Sequence, residues 1–181
     1  MVDKQEAAMS GNIRFDELMT PEQYQTLRTL TGKTLEEVHE RFTTKLEESA
    51  YKPYKGKDYL TDINPAYLYE ALRDCFGMAG IGWGYDYEIE HMMFSNVEWS
   101  DGLASQVAIK KFDFWYMLGG ARWHIPSAGG STNFDLEEAI KGAVTNCIGN
   151  ASSKLLWQID VRKGKVTHNK RAGGDDRKKT P

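Results

Sequence analysis

The sequence predicts an α+β fold: a three-stranded antiparallel β-sheet followed by a long helix (a β-β-β-α core), preceded by a shorter helix and an N-terminal helical pair. Three observations predict it. Between Phe134 and Gln158 the residues Leu136, Ile140, Ala143, Val144, Cys147, Ile148, Ala151 and Leu155 share one side when placed at about 100° steps, which no strand achieves. From Trp83 the period changes to two, with Trp83, Tyr85, Tyr87 and Ile89 alternating with Gly84, Asp86, Glu88 and Glu90. Asp101-Gly102 and Gly119-Gly120 are turn dipeptides that divide the chain between these two stretches into strands.

In chain order, the first ten or so residues are polar and aperiodic and are expected to be disordered. Thr20-Pro21-Glu22 opens a helix with a hydroxyl cap and a proline at the first helical position, running to about Leu30, and Gly32 breaks it. Thr34 starts the next helix, where Leu35, Val38, Phe42 and Leu46 form an apolar stripe to about Ser49. This acidic helical pair docks on the core, on a neighbouring copy or on another protein; the sequence does not choose. In the segment from Tyr51 to Tyr59, cations alternate with aromatic rings, and Pro53 and Gly56 argue against regular structure. It is either an ordinary linker or a surface on which lysines reach phosphates and rings stack on bases. Asn64-Pro65 caps a helix from Ala66 to Phe76, which Gly77 stops. The second strand is expected from Leu103 to about Trp115 and the third from Ala121 to Ile125, with Pro126 and Gly129-Gly130 looping into the long helix.

That helix is expected to begin at Asp135, whose spacing to Glu138 has the form of a capping box. Beside its apolar face runs a stripe of Gly142, Asn146, Gly149 and Ser153, although each glycine costs a helix about 1 kcal/mol relative to alanine. Something approaches closely there: the domain's own sheet or a neighbouring subunit on one reading, a polar ligand facing bare backbone and the amide of Asn146 or Asn150 on the other.

A chain of 181 residues, 40% of them hydrophobic, supports a single core. The expected organisation is an N-terminal helical segment over 1–50, a core domain over 51–160 and a basic flexible tail over 161–181. No apolar run approaches the roughly 20 residues of a membrane span, so no membrane partner and an intracellular location are expected. Cys75 and Cys147 fall at apolar helix positions and are read as core residues. Neither glycine pair is followed by Lys-Ser or Lys-Thr, which removes the phosphate cradle of an ATPase. The four histidines lack a second ligand at helical spacing. Asp86, Glu88 and Glu90 would hold a divalent ion only with a further acid, and a solvated strand face is the better reading. No enzyme, cofactor or metal is therefore expected.

Charge is uneven. Residues 1–50 carry ten acids against six Lys and Arg, whereas residues 160–181 carry eight bases against three acids. Trp99, Phe112, Phe114, Trp115, Tyr116 and Trp123 exceed what one small sheet can hide, so self-association through sheet edges or faces is expected.

Three stretches together resemble the Rad fifty-two type single-strand annealing proteins. Tyr59-Leu60 leads into a helix ending in Phe76-Gly77, with Gly82-Trp83 soon after; Lys141, Ala143-Val144-Thr145 and Ala151 match the family's long helix; and a similar run of strand-like segments lies between. The resemblance covers about residues 51–158. It implies a homo-oligomeric ring that holds single-stranded DNA in a basic groove and anneals complementary strands in recombination or repair without nucleotide hydrolysis. It also implies a recombinase or single-strand-binding protein as a possible partner, and a cytoplasmic location, nucleoid-associated in a bacterium or phage, or a nuclear or mitochondrial one in a eukaryote. Where the family helix presents two adjacent bases, this chain has Gly149-Asn150. The expected DNA contacts are therefore Lys52, Lys55 and Lys57, Lys110, Lys111 and Arg122 on the strands, and Lys141, Asn150 and Lys154 on the helix. The alternative is a ring-forming scaffold or mediator whose N-terminal helices recruit a partner protein.

Overall fold

The computed structural model describes residues 20–54 and 57–166; the N-terminal segment expected to be disordered, Lys55 and the tail beyond Val166 lie outside the described residues. In order come α1 (Pro21–Thr26), α2 (Leu35–Thr43), a 3-10 turn (Glu48–Ala50), β1 (Tyr51–Tyr54), β2 (Lys57–Ile63) and α3 (Pro65–Phe76). There follow β3 (Trp83–Tyr87), β4 (Met92–Trp99), β5 (Gly102–Leu118), β6 (Ala121–Asn133), α4 (Leu136–Lys154) and α5 (Ile159–Arg162).

The mixed α+β class holds, but the main sheet has four strands and a separate two-stranded sheet stands beside it, in place of the three strands expected. The strand β5 is central. Along one edge it pairs with β6, from Ser105↔Asn133 to Leu118↔Ala121. On its other edge β4 pairs with Gly102 to Ile109 and β3 with Phe112 to Tyr116, so the expected first strand is broken end to end. The break is a 3-10 turn at Ile89–His91, which takes Glu88 and Glu90 out of the strand face assigned to them. It faces a bulge in β5, where Lys110 and Lys111 together oppose the one residue between Ser127 and Gly129. Across that bulge the core-facing positions switch from Val107 and Ile109 to Phe112, Phe114 and Tyr116.

Strand β6 does not stop at Ile125; it runs through Pro126 and Gly129-Gly130 to Asn133. Proline is tolerated in an edge strand when its nitrogen points away from the ladder, and the Pro126 carbonyl is turned toward α4. Gly129 is required by the helix: a Cβ there would lie 2.8 Å from the Cys147 backbone nitrogen. The stretch expected to lack regular structure is the β1–β2 hairpin, with Tyr51↔Ile63 and Pro53↔Thr61 in register and an irregularity after Pro53. Tyr51 is buried, its hydroxyl donating to Gln158.

Helix α2 ends at Thr43 rather than near Ser49. The Thr43 and Thr44 hydroxyls turn back onto the His39 and Glu40 carbonyls, and the Gln158 side chain takes the Thr44 carbonyl at 2.8 Å. The open question of where the N-terminal helices dock is answered for α2: Val38 and Phe42 enter the core, and Phe42 meets Phe76 and Trp157 edge to face at 6.1 and 5.5 Å. Helix α4 is capped at Asp135, whose carboxylate accepts from the Glu138 N–H at 3.0 Å, but the expected capping box is only half formed, the Glu138 carboxylate pairing with Lys141 instead. It ends at Lys154, four residues early, and Leu156 and Gln158 at φ 68° and 45° turn the chain back.

Of the six aromatic residues on which self-association was argued, Phe112, Phe114, Trp115 and Tyr116 are buried within this one chain, Trp99 is half-buried and Trp123 is exposed. Exposed apolar side chains gather on the β3–β4 side of the sheet, at Tyr85, Tyr87, Ile89, Met93 and Phe94, while others, Met78, Leu103 and Trp123 among them, are scattered over the chain. Among the described residues β3 and β4 pair with no strand but β5, and apart from a bridge between Ala79 and Trp83 that edge is open.

Candidate nucleic-acid interface

The described residues expected to grip DNA fall on four separate surfaces. The phase switch at the bulge turns Lys110 and Lys111 to the sheet face opposite α4, and neither makes an ion pair with a described residue. Arg122 is on the same face, its guanidinium carbon 4.0 Å from the Trp115 ring centroid. Acids interrupt this face: Asp86 stands in register with Asp113, whose carboxylate bonds to His124 Nδ1. The resulting surface is of mixed charge.

Lys141, on the flank of α4 toward β3, pairs with Glu138 at 3.2 Å and borders a trough lined by Tyr69, Tyr85, Tyr87 and Ile140. Lys52 pairs with Asp62 across the hairpin at 3.5 Å. The side chain of Lys57, like Lys55, lies outside the described residues.

Asn150 and Lys154 have a structural use. The Asn146 amide donates to the Gly130 carbonyl at 2.7 Å, the Asn150 amide to the Ala128 carbonyl at 2.9 Å, and the Lys154 ammonium to the Pro126 carbonyl. Four helical residues rise about 6 Å and two strand residues about 6.6 Å, so the two rows stay in step. They satisfy outward carbonyls of β6 that would otherwise form an open edge. Of the two readings of the small-residue stripe, close approach to the sheet accounts for Gly142, where a Cβ would lie 2.4 Å from Ser131 Oγ, and for Asn146. Gly149 differs: a Cβ there would meet nothing within 4 Å.

Gly149 opens into a cleft of about 300 Å³ between the end of β2, the start of α3, the middle of α4 and the C-terminal turn. Its polar lining includes Asn64, Thr145, Asn146 and Asn150, and its charged lining Asp62 and Arg162. The basic segment does not leave the body at residue 160. Helix α5 folds back, and the Arg162 guanidinium donates to the Gly149 carbonyl at 3.2 Å. Loss of solvent against the cleft lowers the Arg162 pKa from its ordinary value, though an arginine stays charged in any protein. Sequence reasoning passed over this residue as part of the tail. No local signal marks it, because its position depends on Leu156 and Gln158 adopting backbone angles that leucine and glutamine seldom take.

Burial pushes both Cys75 and Cys147 thiols up to about 11, which keeps them protonated and unreactive near neutral pH. Among the described residues no three His, Cys, Asp or Glu side chains are placed to hold a metal ion, and no helix is long and apolar enough to cross a membrane.

The geometry thus defines a mixed α+β domain with one helix-guarded sheet edge, one open apolar edge and a polar cleft floored by arginine. No protein-family model matches the chain, and no curated protein matches it either.

Proposed function

We propose that this protein binds single-stranded DNA through its phosphates and anneals complementary strands as a multimer, without nucleotide hydrolysis. The observation that carries the reading is the cleft over Gly149, where the Asn64, Asn146 and Asn150 amides surround one guanidinium, Asn146 and Asn150 each keeping a second amide N–H beyond the one spent on β6. Such donors suit a phosphodiester and carry no sequence information, so base pairing alone would select the partner strand. Asp62 in the same wall is already neutralised by Lys52. The Lys110–Lys111 bulge offers a second cationic point on the opposite face of the sheet. Fluorescence anisotropy with a labelled oligothymidine tests the reading. Affinity should fall with salt at a log-log slope of about −0.7 per phosphate contacted, and the protein should accelerate pairing of complementary oligonucleotides without ATP. Absence of both at low salt removes it.

What supports the multimer is the open β3–β4 edge, where Ile89 is 75% exposed and Met93 and Phe94 each 52%. Apolar residues beside an unpaired strand edge favour a second chain. We expect Phe94→Lys to yield a smaller species in sedimentation velocity while the melting temperature of the fold is retained. An unchanged sedimentation coefficient would place the contact elsewhere. The scaffold alternative has no observation of its own in its favour.

A further inference from the structure

We infer that Arg162 is the phosphate-binding residue of the cleft, a cation delivered by the C-terminal turn to a position above Gly149 where α4 itself carries none. The inference deepens the single-strand-binding reading and rests on it for the length of the ligand, though not for its chemistry. Three features converge. Gly149 sits inside a helix without the packing reason that explains Gly142, and the space above it is open. The guanidinium spends one N–H on the Gly149 carbonyl and is thereby fixed at the cleft, with its remaining donors available. Asn64, Thr145 and Asn150 line the same cavity. A planar fork held at one end by backbone and open at the other matches the paired oxygens of a phosphodiester. The residues that turn the chain, Leu156 and Gln158, both sit at positive φ, and Gln158 is buried and bonded to Tyr51, Phe42 and Thr44. Arg162 is therefore aimed by the core.

The test uses the full chain and two probes. Arg162 is exposed and Gly149 has open space, so Arg162→Gln and Gly149→Glu should fold, which thermal melting checks. With labelled oligothymidine at low salt, each variant should bind roughly tenfold more weakly than the parent, the loss of one charge-assisted contact. The salt slope of Arg162→Gln should be shallower by about 0.7 for each subunit engaged. Folded variants that bind as the parent does would overturn the inference and leave the annealing reading standing. If the parent itself fails to bind the oligonucleotide, the annealing reading falls, and dimethyl phosphate decides the inference. The nitrogen-15 resonance of Arg162 Nε, identified by its absence in Arg162→Gln, should then shift saturably in the parent and not in Gly149→Glu. No shift in the parent overturns it.

Discussion

Replacing Gly82 by alanine is expected to destabilise the domain by about 3 kcal/mol or more, the upper range for forced overpacking. A Cβ at this position would lie 1.7 Å from the Phe76 carbonyl oxygen and 2.6 Å from the carbonyl carbon, and backbone at a helix end cannot swing aside as a side chain can. The damage would spread, because the turn between α3 and β3 is closed by several bonds at once. The Gly82 N–H donates to Met78, its carbonyl accepts from the Met117 N–H at 2.8 Å, and Trp83 Nε1 donates to the Gly77 carbonyl at 3.1 Å. Chemical denaturation would show a lowered midpoint with a similar slope. A midpoint unchanged from the parent would mean that this turn is not packed as described. The Phe-Gly and Gly-Trp pairs that carry the sequence resemblance thus have a local purpose, joining a helix end to the central sheet.

The second large effect is expected at Gln158. Its side chain accepts from the Tyr51 hydroxyl at 3.1 Å and donates to the Thr44 and Phe42 carbonyls at 2.8 and 3.3 Å, in a site only 4% exposed. Truncation to alanine leaves the Tyr51 hydroxyl proton and the Thr44 carbonyl without their partner, at roughly 1–3 kcal/mol for a buried group, partly offset because the Tyr51 oxygen keeps the Leu46 N–H and the Phe42 carbonyl keeps the Gln158 N–H. A net loss of about 3 kcal/mol in urea unfolding is expected. Because the same residue aims α5, oligonucleotide affinity should fall at temperatures where the variant is still folded. A loss below about 0.5 kcal/mol, the level of an ordinary surface change, would contradict the clamp.

Helix beginnings were legible because their chemistry is local. Thr20, Thr34, Asn64 and Asp135 each cap the turn that follows them, as their spacing implied. The end of α3 was legible too, Gly77 stopping it after Phe76, but the ends of α1, α2 and α4 were not. The partner that finishes α2 is Gln158, 114 residues beyond Thr44 in sequence. Strand β6 was misread for a related reason: Pro126 and Gly129-Gly130 are breakers in isolation, but here they serve an edge against which a helix packs closely. The bulge left a trace that could have been followed, since apolar residues move from odd to even numbers across Lys110-Lys111. At the candidate site, Gly149 and Asn150 lie on the stretch of helix that lines the cleft. The charge that completes it arrives from beyond the helix end, and no residue pattern announces the two left-handed positions that bring it there.

The row of Asn146, Asn150 and Lys154 has a bearing on how copies can join. With residues 126–130 of the β6 border held by its own helix, the β3–β4 border is the longer open side among the described residues along which a sheet could grow from one molecule to the next. Two molecules meeting strand to strand through those sides would face each other about a two-fold axis and stop at a pair. A closed circle needs a head-to-tail contact, in which that open side meets a different surface of the next copy.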